Sequence, residues 1–207
     1  MILSVLAIII SYLLGSISFS VLIAKSIKGI DIRDHGSGNA GATNTLRVLG
    51  KGPAIAVLLL DAIKGIVAVW IGVWLSATPD FWIPALCGLA AILGHNWPIY
   101  FNFRGGKGIA TTIGVLATLC IVPTLIAGVV AILSIVFTRY VSLGSLILVT
   151  LTPILLLIMG YTAPIVIVSI VIWALGVWRH RANVGRIIKG TESKIGAKAD
   201  KGGSKVV

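Results

Sequence analysis

Three segments of the chain carry most of the side chains that could do chemistry. They read HGSGNAGATNTLR at residues 35–47, GHNWPIYFNFRGGKG at residues 94–108 and RHRANVGRIIKGTESK at residues 179–194. Each combines glycine with amide, hydroxyl or imidazole groups and with at least one Arg or Lys. Neutral hydrogen-bond donors beside a fixed positive charge are groups that proteins use to hold phosphate. We therefore interpret the three segments as parts of one anion-binding site.

The first segment has the composition of an anion-binding loop. Its glycines permit tight or left-handed turns, which can aim successive backbone N–H groups at an anion. Its neutral donors and its cation are Ser37, Asn39, Thr43, Asn44 and Arg47. Residues 36–41 also fit the pattern GxGxxG, but a dinucleotide site needs a strand before this pattern, and an apolar membrane-type stretch precedes it here. A glycine-rich interfacial loop without a ligand is the alternative.

The second segment predicts phosphate binding without nucleotide hydrolysis. Residues 104–108 read RGGKG and run directly into the helical pattern IATTIGVL. A glycine turn at a helix start exposes free N–H groups, and Lys107 stands where it could hold a phosphate. A Walker A motif would need glycine in place of Phe101 and Ser or Thr in place of Gly108. A basic turn anchored to lipid headgroups is the alternative.

The third segment offers His180 and Asn183, which are three residues apart. They share one face if the helix continues past Trp178. A structural role for His180 stays open at this point. His95, in the second segment, is interpreted as a capping or packing residue, with a chemical role as the alternative.

An acidic and a basic residue lie inside an apolar stretch of the chain. Asp61 and Lys64 have i, i+3 spacing, so they can pair within the bilayer. We favour a structural pair that supports the site, with direct chemistry as the alternative.

These segments must be positioned by membrane-spanning helices. Hydrophobic residues make up 57% of the 207 positions, charged residues make up only 11%, and the mean hydropathy is +1.07. This composition lies outside the range of soluble domains, so we predict an all-α integral membrane protein. Seven apolar stretches are candidate transmembrane helices, several of them shorter than the roughly 20 residues that a bilayer requires. They are residues 2–24, 53–75, 82–94, 109–121, 124–137, 143–160 and 164–178.

The placement of positive charge favours seven spans over six. With seven spans and the N-terminus outside, every Lys and Arg except Lys64 falls on one side of the membrane. Merging the fourth and fifth spans at Pro123 would put basic segments on both sides, against the positive-inside rule. We therefore predict that the polar segments, which form the site, and the C-terminus are cytoplasmic. Residues 1–196 are predicted to form one domain and residues 197–207 a flexible cytoplasmic tail.

Several chemical classes are disfavoured by what the sequence lacks. No pair or cluster among its six acidic residues has the spacing of a magnesium site. No histidine stands five residues before an aspartate, so the HxxxxD signature of acyltransferases that use acyl-CoA or acyl carrier protein is missing. Cys87 and Cys120 lie in apolar stretches and suggest neither a disulfide nor a metal site. We predict no nucleic-acid partner and attribute the net charge of +11 to membrane orientation and anionic lipid headgroups.

The three segments, in this order, resemble those of the bacterial acyl-phosphate:glycerol-3-phosphate acyltransferases, the PlsY family. The similarity covers essentially the whole chain, from GSISFSVLIAK to HRANVGRIIKGTESK, and Val184 and Ile187 are slight departures in the third segment. The resemblance implies a seven-helix enzyme of the bacterial inner membrane with a cytoplasmic active site. It also implies transfer of a fatty acyl group from acyl phosphate to the sn-1 hydroxyl of glycerol 3-phosphate. The products would be lysophosphatidic acid and phosphate, made without a cofactor or metal in the first step of phospholipid synthesis.

The resemblance also implies roles for individual residues. Ser37, Lys107 and His180 are the candidate catalytic residues, and Asp61, Lys64 and His95 are supporting residues. The residues implied in binding glycerol 3-phosphate or the donor phosphate are Ser37, Asn39, Asn44, Arg47, Gly105, Gly106, Lys107, Gly108, His180 and Asn183. Within this set, Asn39 and Asn44 are expected to shape the first loop, and the glycines to let the backbone approach phosphate.

The chemistry implied for acyl phosphate is direct attack by the acceptor hydroxyl, because the donor already has a good leaving group. His180 is the strongest titratable candidate for the base, but we favour a version in which a substrate phosphate oxygen takes the proton and His180 holds that phosphate. Long-chain acyl phosphate, glycerol 3-phosphate and membrane lipids are the expected partners, with functional coupling to the enzyme that makes acyl phosphate. A transporter of a phosphorylated metabolite and a lipid-binding scaffold are the alternatives, although no internal repeat typical of transporters is visible.

Overall fold

The structure is a computed structural model that describes residues 2–76 and 80–196. Over these ranges it contains ten α-helices and two short 3₁₀ helices, and no strand. The α-helices are α1 (Ile2–Gly15), α2 (Phe19–Lys28), α3 (Ala42–Leu49), α4 (Lys51–Leu75), α5 (Trp82–Asn96), α6 (Ile109–Leu119), α7 (Ile121–Thr138), α8 (Val141–Ile158), α9 (Ala163–Arg179) and α10 (Arg181–Ile188). The 3₁₀ helices are Ile32–Asp34 and Ile99–Phe101. The all-helical class is confirmed, whereas the predicted flexible tail at 197–207 lies outside the described residues.

Four stretches of helix are long and apolar enough to cross a membrane, namely Ile2–Lys28, Lys51–Leu75, Ile121–Thr138 and Val141–Ile158. α9 and α10 together would make a fifth, with a bend of 58° between them. α5 has 15 residues and α6 has 11, so both are shorter than a usual span. The class of integral membrane protein is confirmed, and the count of seven spans stays a prediction because it depends on these short helices.

The first predicted span, residues 2–24, lies within the candidate span Ile2–Lys28, but that span is not one continuous helix. α1 ends at Gly15 and α2 begins at Phe19. Gly15 packs so closely on α5 that a Cβ added there would lie 2.2 Å from the Ala91 carbonyl oxygen. The break frees the carbonyl of Ile17, which accepts a hydrogen bond of 2.8 Å from the Lys64 ammonium. Lys64 thus replaces a helical hydrogen bond that the surrounding lipid could not supply.

Two further boundaries differ from the sequence prediction. Residues 42–49, predicted as part of a loop, form the short helix α3. The fourth and fifth predicted spans separate at Cys120 rather than at residues 122–123. Pro123 lies within the first turn of α7, where a missing backbone N–H breaks no helical hydrogen bond, so the helix begins before it.

The main core lies between α4, α5, α6, α8 and α9. It is built from apolar side chains that are almost fully buried, including Val69, Ile92, Val115, Leu156 and Ile172. By contrast, α7 exposes most of its large apolar side chains. An exposed apolar surface of this kind is expected where a helix faces lipid. The core therefore holds α5, α6 and α9 rigidly, and the second and third polar segments begin or end on these helices.

Candidate active site

The first and second polar segments are joined by backbone contacts. The Arg33 guanidinium, just before the first segment, donates to the carbonyl oxygens of Phe101 at 2.7 Å and Arg104 at 3.2 Å. A Cβ added to Gly106 would lie 2.3 Å from the carbonyl oxygen of Ala40, so the two loops touch directly. Distant parts of the sequence therefore form one continuous polar surface.

The second and third segments are joined by side chains. The Lys107 ammonium donates to Oδ1 of Asn183. The Arg179 guanidinium donates to the carbonyl oxygens of Gly105, at 3.2 Å, and of Gly106. The structure thus brings the predicted residues Lys107 and Asn183 together.

In the first segment, Asn44 braces the loop from within. It is fully buried, and its amide nitrogen donates to the carbonyl oxygens of Ile32 at 3.0 Å and His35 at 2.9 Å. Its Oδ1 accepts a hydrogen bond of 2.8 Å from the backbone N–H of Ser37. Both amide protons of Asn44 are therefore used inside the loop, which fits loop shaping and leaves no donor for direct contact with a substrate.

The remaining polar groups of the first segment lie closer to the surface. Ser37 is exposed, and Asn39 and Arg47 are half-buried. Gly36 and Gly38 have φ of 61° and 70°, in the left-handed region that favours glycine. The turn they make keeps Ser37 exposed while its backbone N–H is held by Asn44.

Glycines 105, 106 and 108 are required by packing. A Cβ on Gly105 would lie 2.1 Å from the His95 carbonyl oxygen, and one on Gly106 would lie 2.2 Å from Nε2 of His95. Gly108 has φ of 81° and directly precedes α6. The backbone N–H of Gly106 donates to the His95 carbonyl, so this N–H is already used. The approach of phosphate to these glycines stays a prediction, because close packing alone accounts for them.

Lys107 is half-buried among other charges. The pKa of its ammonium is lowered to about 8, chiefly by burial. Glu192 acts to raise this pKa, and the guanidinium charges of Arg186, Arg179 and Arg47 act with burial to lower it. The cations that act on Lys107 come from the first and third segments. Positive charges gathered in this way attract anions, and they favour a doubly charged phosphate over a singly charged one.

His180 and Asn183 were expected to share one face if the helix continued past Trp178. In the structure the helix bends within the third segment. α9 ends at Arg179, and α10 starts at Arg181 after a bend of 58°. His180 occupies the bend and is 2% exposed, with Nδ1 donating to the Gly176 carbonyl oxygen at 2.8 Å. Burial and, to a smaller extent, the charge of Lys107 lower the pKa of its imidazole to about 4. His180 is therefore neutral at physiological pH, with Nε2 free to accept.

Glu192 holds this arrangement in place. Its carboxylate accepts hydrogen bonds from Ser142 Oγ at 2.7 Å, Asn183 Nδ2 at 2.6 Å and Arg186 Nε at 2.7 Å. Burial acts to raise the pKa of this carboxyl, but the three hydrogen bonds outweigh it and keep the pKa below its usual value. Since the amide nitrogen of Asn183 must face a carboxylate, its oxygen must face Lys107.

A buried cluster of Asp61, Lys64 and His95 lies behind the loop that contains Gly105 and Gly106. The ion pair predicted from the i, i+3 spacing is present, with Lys64 Nζ 2.8 Å from Asp61 Oδ1. Lys64 Nζ also lies 3.1 Å from His95 Nδ1, and the opposite edge of that ring packs on Gly106. The cluster thus connects the break between α1 and α2 to the loop that carries Lys107.

The site is basic rather than acidic. Among the residues that the structure describes, no three His, Cys, Asp or Glu side chains are grouped so that they could hold a metal ion. Its charged groups are Arg47, Lys107, Arg179, Arg186 and Glu192. Such a site is suited to binding phosphate groups directly.

Comparison with known proteins places this chain in a family. Residues 5–190 match the family model described as glycerol-3-phosphate acyltransferase. The chain belongs to this family, PlsY. It is 60% identical to the glycerol-3-phosphate acyltransferase of Shouchella clausii over 203 residues, which cover 96% of this chain and 99% of that protein. It is 59% identical to the enzyme of the same name from Halalkalibacterium halodurans over 194 residues, which cover 92% and 94%.

Solved structures of PlsY have the same fold. The crystal structure of PlsY (YgiH), an integral membrane glycerol 3-phosphate acyltransferase in its glycerol 3-phosphate form, superposes with a TM-score of 0.88 at 39% identity and covers 93% of this chain and 96% of that one. The lysophosphatidic acid form superposes with a TM-score of 0.85 at 39% identity, covering 93% and 95%.

Sequence reasoning assigned no role to several residues of this candidate site, namely Arg33, Ser142, Arg179, Arg186 and Glu192. Glu192 had one available signal, since it is one of only six acidic residues and lies among basic ones. Ser142, at the start of α8, had none, because nothing in the sequence relates it to Asn183 or Lys107. It enters the site only through its hydrogen bond to Glu192.

Proposed function

We propose that this chain transfers a fatty acyl group from acyl phosphate to the sn-1 hydroxyl of glycerol 3-phosphate. The products are lysophosphatidic acid and inorganic phosphate, in the first step of phospholipid synthesis. The observation that carries the proposal is the cluster of Arg47, Lys107 and Asn183, drawn from three separate segments in a chain of this family. Both substrates carry phosphate, and preorganised cations and donors stabilise the charge that moves onto phosphate during transfer.

The substrate phosphates are held by the positively charged side chains of the site. Arg47 and Lys107 supply positive charge, and the exposed Ser37 hydroxyl and the Asn39 amide supply neutral donors. The acyl tail of the donor lies between helices, in contact with membrane lipid. Functional coupling to the enzyme that makes acyl phosphate would bring this poorly soluble substrate to the site.

The reaction proceeds by direct attack of the acceptor hydroxyl. Its oxygen bonds to the acyl carbon, the bond from that carbon to the phosphate oxygen breaks, and the electron pair leaves with phosphate. A phosphate oxygen of the substrate takes the hydroxyl proton. The low pKa of His180, about 4, supports this version because phosphate, with a second pKa of about 6, is the stronger base. Because Nδ1 of neutral His180 donates to the Gly176 carbonyl, its Nε2 can only accept, and it holds the substrate by accepting a hydrogen bond from a substrate hydroxyl.

The protein is proposed to lie in the bacterial inner membrane as a single seven-span domain over residues 1–196. The N-terminus is outside, and the site and the C-terminus are cytoplasmic. Support comes from the placement of Lys and Arg on one side and from the membrane fold shared with PlsY.

A donor comparison tests the reaction. Purified protein is given glycerol 3-phosphate with either palmitoyl phosphate or palmitoyl-CoA, without added metal, and lysophosphatidic acid is quantified. We expect product with palmitoyl phosphate alone, together with one phosphate released per acyl group transferred. Equal rates with palmitoyl-CoA would overturn the donor assignment, and no product with either donor from folded protein would overturn the reaction.

The charge state of Lys107 predicts a loss of activity at alkaline pH. Its pKa of about 8 means that the ammonium is charged below pH 8 and loses its charge as the pH rises through this value. We expect kcat/KM for glycerol 3-phosphate to fall with a midpoint near pH 8, since this ratio reports groups of the free enzyme.

Lys107→Arg serves as the control for this pH profile. Arginine stays charged throughout the range, so the fall near pH 8 should disappear in this variant even if the rate is lower. The same alkaline midpoint in Lys107→Arg would show that another group is responsible.

A further inference from the structure

A cavity separate from the cluster of Arg47, Lys107 and Asn183 lies beside the end of α2. Its volume is about 480 Å³, within the roughly 300–1,000 Å³ that is usual for small-molecule sites. It is lined by Val21, Leu22, Lys25, Gly29, Ile30, Asp31, Arg33, Tyr100 and Phe101. Arg33 and Phe101 also join the first two polar segments, but none of these residues is among those assigned to binding the substrates.

The lining of the cavity combines apolar and charged side chains. Its apolar residues include Val21, Leu22, Ile30 and Phe101, and its cations are Lys25 and Arg33. Leu22 is 45% exposed and Tyr100 is 57% exposed, so the cavity opens to the surface of the protein. A ligand that fits this lining has an apolar body and an anionic group.

The charges of the cavity leave one cation unpaired. Arg33 forms a bidentate ion pair with Asp31, with Nε 2.9 Å from Oδ1 and Nη2 2.6 Å from Oδ2, so these two charges cancel. The Lys25 ammonium makes no hydrogen bond or ion pair with any residue in the described parts of the chain. The cavity therefore has a net positive charge that faces outward.

The position of the cavity indicates the source of its ligand. Lys25 lies in the last turn of α2, at the polar end of the candidate membrane span Ile2–Lys28. Residues at the end of a span lie at the level of lipid headgroups. Anionic phospholipids place a phosphate at this depth with acyl chains below it, which matches the order along α2, where Leu22 lies nearer the middle of the span than Lys25.

We propose that this cavity binds one anionic membrane phospholipid, with its phosphate on Lys25 and the first part of an acyl chain against Leu22. Arg33 connects the site to the active-site loop, because the same guanidinium donates to the Phe101 and Arg104 carbonyls. The bound lipid thus lies next to the segment that ends in Lys107.

Native mass spectrometry of the detergent-purified protein tests the proposal. The protein is titrated with dioleoylphosphatidylglycerol or with dioleoylphosphatidylcholine, and the dissociation constant of the first bound lipid is measured. We expect tighter binding of phosphatidylglycerol, and a loss of about fivefold in its affinity in Lys25→Gln, as one surface lysine contributes to anionic lipid binding. Inorganic phosphate in excess should not displace the lipid.

Lys28→Gln is the matched control. Lys28 lies in the same last turn of α2 but outside the cavity, and its ammonium donates to the Val48 carbonyl at 3.0 Å. The affinity of the Lys28→Gln variant for phosphatidylglycerol should equal that of the unaltered protein. Equal binding of the two lipids, equal losses in both variants, or displacement by inorganic phosphate would each overturn the proposal. The measurement uses neither acyl donor nor acceptor, so its outcome is independent of the proposed reaction.

Discussion

Lys107→Ala is expected to lower kcat/KM for glycerol 3-phosphate by about a hundred- to a thousandfold while leaving the protein folded. Lys107 is the cation on which the second and third segments converge, through Asn183 and through the charges that act on it. Removing one preorganised donor from a transition-state site typically costs a factor of this size. Lysophosphatidic acid formation by the purified variant, with palmitoyl phosphate as donor, measures the loss.

Arg47→Ala should show a loss of the same order, since Arg47 is the cation that the first segment brings to Lys107. Lys189→Ala is the matched control, because Lys189 is an exposed lysine just past α10 and its removal changes the net charge equally. Its rate should match that of the unaltered protein. Normal rates in both Lys107→Ala and Arg47→Ala would contradict the site assignment.

Asp61→Asn is expected to cause the largest loss of stability, about 3–5 kcal/mol in the free energy of unfolding. Asp61 and Lys64 are each only 1–2% exposed. Removing the carboxylate leaves the Lys64 ammonium buried in an apolar region without its counter-charge. Thermal unfolding of the detergent-solubilised variant measures the change in Tm.

The double variant Asp61→Asn, Lys64→Met separates charge from packing. It removes the unpaired ammonium, so stability should recover in part. Recovery is incomplete because the Ile17 carbonyl at the break between α1 and α2 loses its donor. Asp34→Asn, which changes an exposed carboxylate, should stay within about 0.5 kcal/mol. A double variant less stable than Asp61→Asn would contradict this account.

The break between α1 and α2 shows where prediction from the sequence stops. The apolar stretch at residues 2–24 has the composition of one span, and the sequence contains no proline there to end it. What interrupts the helix is the close packing of Gly15 on α5, together with a lysine from α4 that binds the freed carbonyl. Both partners are far away in the chain, and no local pattern reveals them.

The candidate site could be predicted only in part, because some of its contacts also join residues that are far apart in the chain. The choice of segments rests on residue types, because glycine, amide and basic groups stand out in an apolar chain. The pairing of Lys107 with Asn183, and the orientation of that amide by Glu192, depend on which groups meet in space. The bend at His180 was not indicated by the sequence, and it places His180 between two helices and Asn183 in the second of them.

By itself, the sequence determined the membrane class, the helical composition, the identity of the polar segments and the Asp61–Lys64 pair. All of these follow from hydropathy, residue type or short spacing along one helix, which are local properties. Only the tertiary structure decided that Ser142 binds the Glu192 carboxylate, which holds Asn183, and that Lys64 binds a broken helix. Those contacts join residues distant in sequence, and their geometry is set by the packing of whole helices, which no local pattern encodes.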